Sequence, residues 1–214
     1  MAELLPLMIR CEGRRVVIVG GGRVAERKVH GLLAAEAKIT VVSPSASDDI
    51  RAWADEGRLR WVNRDYMTGD LQGAFLVYAA TDQRDLNERV ASEAGKAGIL
   101  VNVAHDGQYG SFMTPSVVRR GRLTLAVSTS GAGPAVSKRI TTCLEELFGP
   151  EYEAYMDLLY QMRLVIREKV SSPEARSRLL KQMAGEAFFE RYMLTQESWS
   201  RQQIEAWIAQ NQEE

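Results

Sequence analysis

Val16-Val17-Ile18-Val19 is an unbroken apolar run that stops at three glycines, the pattern of a strand buried on both faces. Val24, Ala25, Val29, Leu32 and Leu33 then recur at helical spacing. Ile39-Thr40-Val41-Val42 predicts a second strand, closed by Ser43-Pro44, and Ser47 is placed to cap a helix with Ile50, Trp53 and Ala54 on one face. Residues 59–62 predict a third strand and residues 75–79 a fourth. Residues 86–97 predict a helix stopped by Gly98, and residues 99–103 a fifth strand. Strands alternating with helices at this spacing imply a parallel sheet with helices on its faces. Right-handed crossovers then leave an α/β, Rossmann-like, doubly wound sheet.

Beyond residue 113 the rhythm changes. Leu123-Thr124-Leu125-Ala126-Val127-Ser128 alternates large and small residues and predicts a strand with one buried face. Ser130-Gly131-Ala132-Gly133-Pro134 predicts a tight turn whose proline opens a helix. That helix is expected to bury Val136, Ile140, Leu144 and Leu147 before Gly149-Pro150 stops it. From Tyr152 onward the pattern is helical, with Tyr155, Met156, Leu159, Met162, Val165 and Ile166 in one stripe. A further helix follows Ser171-Ser172-Pro173, another holds Trp199, Ile204 and Trp207, and residues 210–214 form a polar, frayed end.

Charge narrows the partners. Lys and Arg number 27 against 28 Asp and Glu, a formal net charge of −1, so no generic nucleic-acid binder is expected. Two cysteines make no disulfide framework, and Cys11 and Cys143 are both expected to pack inside. With two histidines, no metal site is expected. No run of about 20 apolar residues predicts a membrane span, and the opening Leu4-Leu5-Pro6-Leu7-Met8-Ile9 does not read as a targeting segment. The expected location is the cytoplasm.

Gly20-Gly21-Gly22-Arg23-Val24-Ala25 is a G-x-G-x-x-A pattern between an apolar strand and an amphipathic helix, the context a dinucleotide site requires. Gly20 permits the tight turn, Gly22 lets a pyrophosphate approach the backbone, and Ala25 lets the helix pack on the strand. Free N–H groups of the first turn, at Arg23 and Val24, face the phosphates. The acidic residue expected at the end of the second strand is missing. Ser43, Pro44 and Ser45 stand there, which leaves NAD against NADP open. Thr81 and Asp82 end the fourth strand, and Asn102 and Val103 lie at the end of the fifth, where a nicotinamide is expected. His105 and Asp106 follow as an adjacent titratable pair suited to removing a proton. Arg119, Arg120 and Arg122 precede the later strand, and Lys138 and Arg139 follow the glycine turn. With Ser128, Thr129 and Ser130 they predict docking of an anionic small molecule.

Taken together, these strings resemble a known family. Leu5-Pro6-Leu7, residues 16–22 and Val24-Ala25-Glu26-Arg27-Lys28 are similar to the opening of the precorrin-2 dehydrogenases of siroheme synthesis. Residues 79–82, Asn87, Asn102-Val103, Ser111-Phe112, Pro115-Ser116 and residues 126–128 follow in the same order. The resemblance implies a dinucleotide-binding domain over residues 1–113, a dimerisation domain over 114–149 and a helical domain over 150–214, assembled as a homodimer. It implies oxidation of precorrin-2 to sirohydrochlorin with NAD as hydride acceptor. In some members it also implies iron insertion, expected here to be weak. The tetrapyrrole's eight carboxylates account for the basic cluster. The family's key aspartate falls at His105 in an ungapped reading, while the nearby aspartate is Asp106, so either residue is the candidate base. The rival from another class is a NAD-binding redox-sensing or gating module without catalysis, which has no need of a polyanion site.

Overall fold

The computed structural model describes residues 4–104 and 109–211. Two units make up the chain, one ending at Thr114 and the other starting at Pro115.

In the first unit β1 (Arg15–Val19), β2 (Lys38–Val42), β3 (Arg60–Val62), β4 (Leu76–Ala79) and β5 (Leu100–Val103) form one parallel sheet in the order β3-β2-β1-β4-β5. Chain order reverses between β1 and β4, so the switch point of this Rossmann-type sheet lies there. Strand period decides which side chains face which helices. Val16 and Ile18 pack with Ala25, Val29 and Leu32 of α1 (Arg23–Ala34) and Ile50 of α2 (Asp48–Asp55). Val17 and Val19 pack with Val90, Ala91 and Ala94 of α3 (Arg84–Lys96). The Ser47 hydroxyl accepts from Ile50 N–H, so the expected cap is present. No helix bridges β3 to β4. Residues 63–75 cross instead, burying Tyr66 and Leu71 and tying Arg64 to Asp70 through two hydrogen bonds at 2.6 and 2.8 Å.

The second unit opens with a strand the pattern does not predict. β6 (Ser116–Arg120) pairs antiparallel with β7 (Leu123–Val127), so Arg119 and Arg120, which precede β7 as expected, lie in a strand of their own. Pro134 opens α4 (Pro134–Leu147), as expected. The face that α4 buries is not the expected one. Ser137 and Thr141 are inside, whereas Val136, Ile140 and Leu147 are exposed and Leu144 is half-buried. The buried hydroxyls are satisfied locally: Ser137 donates to Pro134 O at 2.9 Å and Thr141 to Lys138 O at 2.8 Å. Cys11 is buried, but Cys143, on the open side of α4, is exposed and corrects the expectation that both pack. α5 (Glu151–Lys169), α6 (Pro173–Met183), α7 (Glu186–Thr195) and α8 (Arg201–Asn211) share an apolar core. Tyr155, Met162, Ile166, Leu179, Tyr192, Ile204 and Ile208 are buried in it. The unpredicted helix is α7, and Trp199 lies just ahead of α8 rather than within it.

Candidate dinucleotide site

The turn from β1 into α1 is built by three glycines with three different constraints. Gly20 has φ +116°, and a Cβ there would lie 2.4 Å from Ala80 O, at the end of β4. A Cβ on Gly21 would lie 2.1 Å from Ser45 O and 2.8 Å from Ser43 Oγ, in the turn after β2. Gly22 is exposed, and a Cβ there meets nothing within 4 Å. So two glycines fuse the ends of β1, β4 and β2 backbone to backbone, and the third faces open space. Gly22 caps α1 with extended backbone and no side-chain hydrogen bond, which leaves the helix's first N–H groups available to an anion. A pyrophosphate fits this turn. Ala25 is fully buried, as packing against the strand requires. The sequence pattern assigns the middle glycine no role. Its signal is a third glycine where the fingerprint needs two.

Other candidate residues frame the same strand ends. The Ser43 hydroxyl donates to Ser45 O within its own turn, and Ser43 O accepts from the Trp61 indole at 3.0 Å. Pro44 and Ser45 are exposed. After β4, the Thr81 hydroxyl donates to Asn87 Oδ1 at 2.8 Å, and Asn87 Nδ2 donates back to Thr81 O at 3.0 Å. Asp82, next in the chain, is exposed. Val103 is buried in the core, so only its backbone reaches the strand end. Asn102 is buried and donates through Nδ2 to Phe112 O at 3.0 Å. Ser111 N–H donates to Val101 O at 2.8 Å, so Ser111 lies alongside β5. His105 and Asp106 lie outside the described residues. Phe112 meets the Tyr78 ring edge-on at 5.5 Å, and Lys28 Nζ lies 5.3 Å from the same ring. Burial holds the Lys28 ammonium below its ordinary pKa, helped by the Arg27 charge, and burial pushes the Tyr78 phenol up.

The basic residues of the second unit differ in what they engage. Arg119 and Arg120 are neighbours on β6 and point to opposite faces. Arg120 donates to Phe148 O at 2.9 Å and to Glu145 O at 3.2 Å, closing the end of α4. Arg122 pairs with Asp157 at 2.8 Å, and its guanidinium stacks 3.6 Å from the Tyr160 ring. Arg119, Lys138 and Arg139 are exposed. Thr129 accepts from Gly133 N–H at 3.3 Å, Ser128 accepts from Ser130 N–H at 3.2 Å, and Ser130 has φ +50°. These hydroxyls shape the turn before α4. Among the described residues no group of three or more His, Cys, Asp or Glu is placed to hold a metal, and no helix is long and apolar enough to cross a membrane.

The sheet order and the glycine turn at its switch point define a Rossmann-type dinucleotide-binding protein. Residues 7–116 match the family model described as "Putative NAD(P)-binding". The chain is 38% identical over 160 residues to the precorrin-2 dehydrogenase of Bacillus subtilis (strain 168), covering 75% of this chain and 98% of that protein. It is 34% identical to the precorrin-2 dehydrogenase of Priestia megaterium, covering 93% and 97% of the two chains. A solved structure, "SirC, precorrin-2 dehydrogenase", superposes with a TM-score of 0.78 at 31% identity, over 99% of this chain and 100% of that one. The siroheme synthase of Photorhabdus laumondii is 34% identical over 99% of this chain but only 44% of its own length. The chain belongs to the precorrin-2 dehydrogenase family.

Proposed function

We propose that this chain oxidises precorrin-2 to sirohydrochlorin with NAD, as a step of siroheme synthesis in the cytoplasm. The observation that carries the reading is the glycine turn at the β1–β4 switch point, in a chain matching precorrin-2 dehydrogenases over nearly their whole length. In the reaction one hydrogen leaves the tetrapyrrole with its electron pair and a second leaves as a proton. NAD supplies the acceptor for the hydride.

The remaining roles fall to the chain. Gly20, Gly22, Arg23, Val24 and Ala25 seat the pyrophosphate, and Ser43, Pro44 and Ser45 flank the adenosine. Thr81, Asp82, Asn102 and Val103 border the nicotinamide. His105 or Asp106 takes the proton. Ser128, Thr129, Ser130, Arg119, Arg120, Arg122, Lys138 and Arg139 serve the substrate carboxylates, with Arg119, Lys138 and Arg139 carrying more of that attraction because Arg120 and Arg122 are already engaged. Residues 1–113, 114–149 and 150–214 act as dinucleotide-binding, dimerisation and helical domains of a homodimer. The exposed stripe of α4 supports the second of these roles.

The test is anaerobic turnover of precorrin-2, followed as NADH formation. His105→Ala and Asp106→Ala are assayed separately, and one of them is expected to cut turnover by about 100-fold or more, the usual scale for losing a general base. Two rates close to the parent would move the base to Asp82. No NADH formed by the parent chain would remove the reading itself. Ferrous iron with sirohydrochlorin is expected to give at most slow siroheme formation over a no-enzyme control.

A further inference from the structure

The end of β2 is where dinucleotide-binding sheets choose between cofactors. A carboxylate there holds the adenosine ribose hydroxyls and repels a 2′-phosphate, whereas an arginine nearby accommodates that phosphate. In this chain the first acidic residues after β2 are Asp48 and Asp49, which lie in α2 beyond its Ser47 cap. Asp48 is occupied by Arg51 at 2.5 Å. Ser43 turns its hydroxyl into its own turn and is only 6% exposed. Pro44 has no N–H to offer. The first exposed hydroxyl is Ser45.

That turn is pressed directly onto the glycine turn. Ser47 N–H donates to Gly21 O at 2.8 Å, and Ser45 O crowds the position of a Gly21 Cβ. Two residues beyond Gly21 stands Arg23, the first residue of α1. It is exposed and has no ion-pair or hydrogen-bond partner among the described residues. An uncommitted guanidinium therefore starts beside a β2 end that carries a hydroxyl and no carboxylate.

We infer that this chain accepts a 2′-phosphate on the adenosine ribose, so that it binds NADP as well as NAD, with Arg23 as the charge partner and Ser45 as a hydroxyl donor. The inference rests on the dinucleotide reading above and adds to it a cofactor specificity. A 2′-phosphate carries up to two negative charges and three acceptor oxygens, which suits the bidentate fork of an arginine better than the point charge of a lysine. The attraction is at the surface, so salt weakens it.

The experiment is calorimetric titration of the full chain with NAD and NADP, and with 5′-AMP and adenosine 2′,5′-bisphosphate as probes of the 2′-phosphate alone. NADP is expected to bind within about 10-fold of NAD, a gap of about 1.4 kcal/mol. Arg23→Ala is expected to lower the ratio of NADP to NAD affinity by about 10-fold, Arg23→Lys by less, and Ser45→Asp by at least as much as Arg23→Ala. Added salt should lower the same ratio in the parent chain. Thermal melting of each variant separates a lost contact from a lost fold. Tight NAD binding with no measurable NADP binding overturns the inference and leaves the dinucleotide reading standing. Failure of both cofactors to bind overturns the two together. An affinity ratio indifferent to Arg23 and to salt overturns the assignment to this side chain.

Discussion

The five-stranded sheet and the β6–β7–α4 unit use apolar residues in opposite ways. In the sheet Val16, Val17, Ile18 and Val19 are all essentially inaccessible, because helices cover both faces. In α4 Val136, Ile140 and Leu147 stand outside, Leu144 is half-buried, and two hydroxyl residues occupy the buried face. A core can accommodate Ser137 and Thr141 because each bonds to its own helix backbone and leaves nothing unpaired. It has no such reason to leave Val136, Ile140 and Leu147 in water. The sheet is complete within one chain, and α4 presents a face suited to a partner.

The largest expected effect is at the glycine turn, where the sheet's self-sufficiency meets its chemistry. Gly21→Val forces side-chain atoms into the Ser45 backbone, which cannot yield without moving the end of β2. The loss should exceed about 4 kcal/mol, the range of exceptional substitutions, with no cooperative melting of this unit. Gly22→Asp meets no atom and should fold, yet it places a carboxylate where the pyrophosphate must come. NAD binding should vanish in calorimetry while the melt persists. A Gly22→Asp chain with undiminished affinity would sever the glycine turn from cofactor binding.

Next comes a matched pair of isoleucines. Ile18→Ala empties a fully enclosed site and should cost about 2–5 kcal/mol in denaturant melts, whatever the protein concentration. Ile140 is 39% exposed, so Ile140→Ala should cost within about 0.5 kcal/mol in dilute solution. At higher concentration the Ile140 penalty should grow, because stability that comes from association follows mass action. Equal, concentration-independent costs at the two sites would erase the contrast between the regions.

How legible each region is in the sequence follows from how local its signals are. β1, the glycine turn, the Ser47 cap and Pro134 are written in adjacent residues and stand where the pattern places them. β6 escapes the pattern because Arg119 and Arg120 at its end look like a solvated charge run, and only pairing with β7 makes it a strand. α7 merges into its surroundings because Phe188, Phe189 and Tyr192 look the same in any amphipathic helix. For α4 the period reveals a stripe, but a period cannot say what covers it. The fate of Ser43 depends on a turn brought against it from 22 residues earlier in the chain, at Gly21.

A smaller effect is expected where the sheet lacks a crossover helix. Asp70 accepts two hydrogen bonds from Arg64 and one from Met67 N–H at 2.9 Å. The Arg64 hydrogen bond, more than the Met67 amide, holds its carboxyl below the usual range against an opposing contribution from burial. A depressed folded pKa means the unfolded chain takes up the proton first as pH falls. The contribution is therefore complete above about pH 4, the unfolded value, and is lost below it as pH passes through the folded value. Asp70→Asn should cost about 1–3 kcal/mol at neutral pH and flatten this part of the acid limb of a stability–pH curve. A variant with the parent's acid limb would show that other carboxylates set it.

The smallest effect leaves stability untouched and reads the covering of α4 directly. Val136, Ile140, Cys143 and Leu147 are spaced by four, three and four residues, so the thiol sits on the apolar stripe itself. Cys11 is buried, and burial pushes its thiol pKa up, so it serves as an internal reference that reacts only when the fold opens. In dilute protein a disulfide reagent should therefore label one cysteine per chain quickly, at the rate of a small-molecule thiol, and that cysteine is Cys143. Raising the protein concentration should slow that fast phase if a second copy lies over the stripe, and Ile140→Asp should restore it at every concentration. The reagent reports the face without asking anything of catalysis, so the result stands whether or not the substrate assignment does. A fast phase that never slows would remove α4 from any interface and leave its exposed apolar stripe as a property of the single chain.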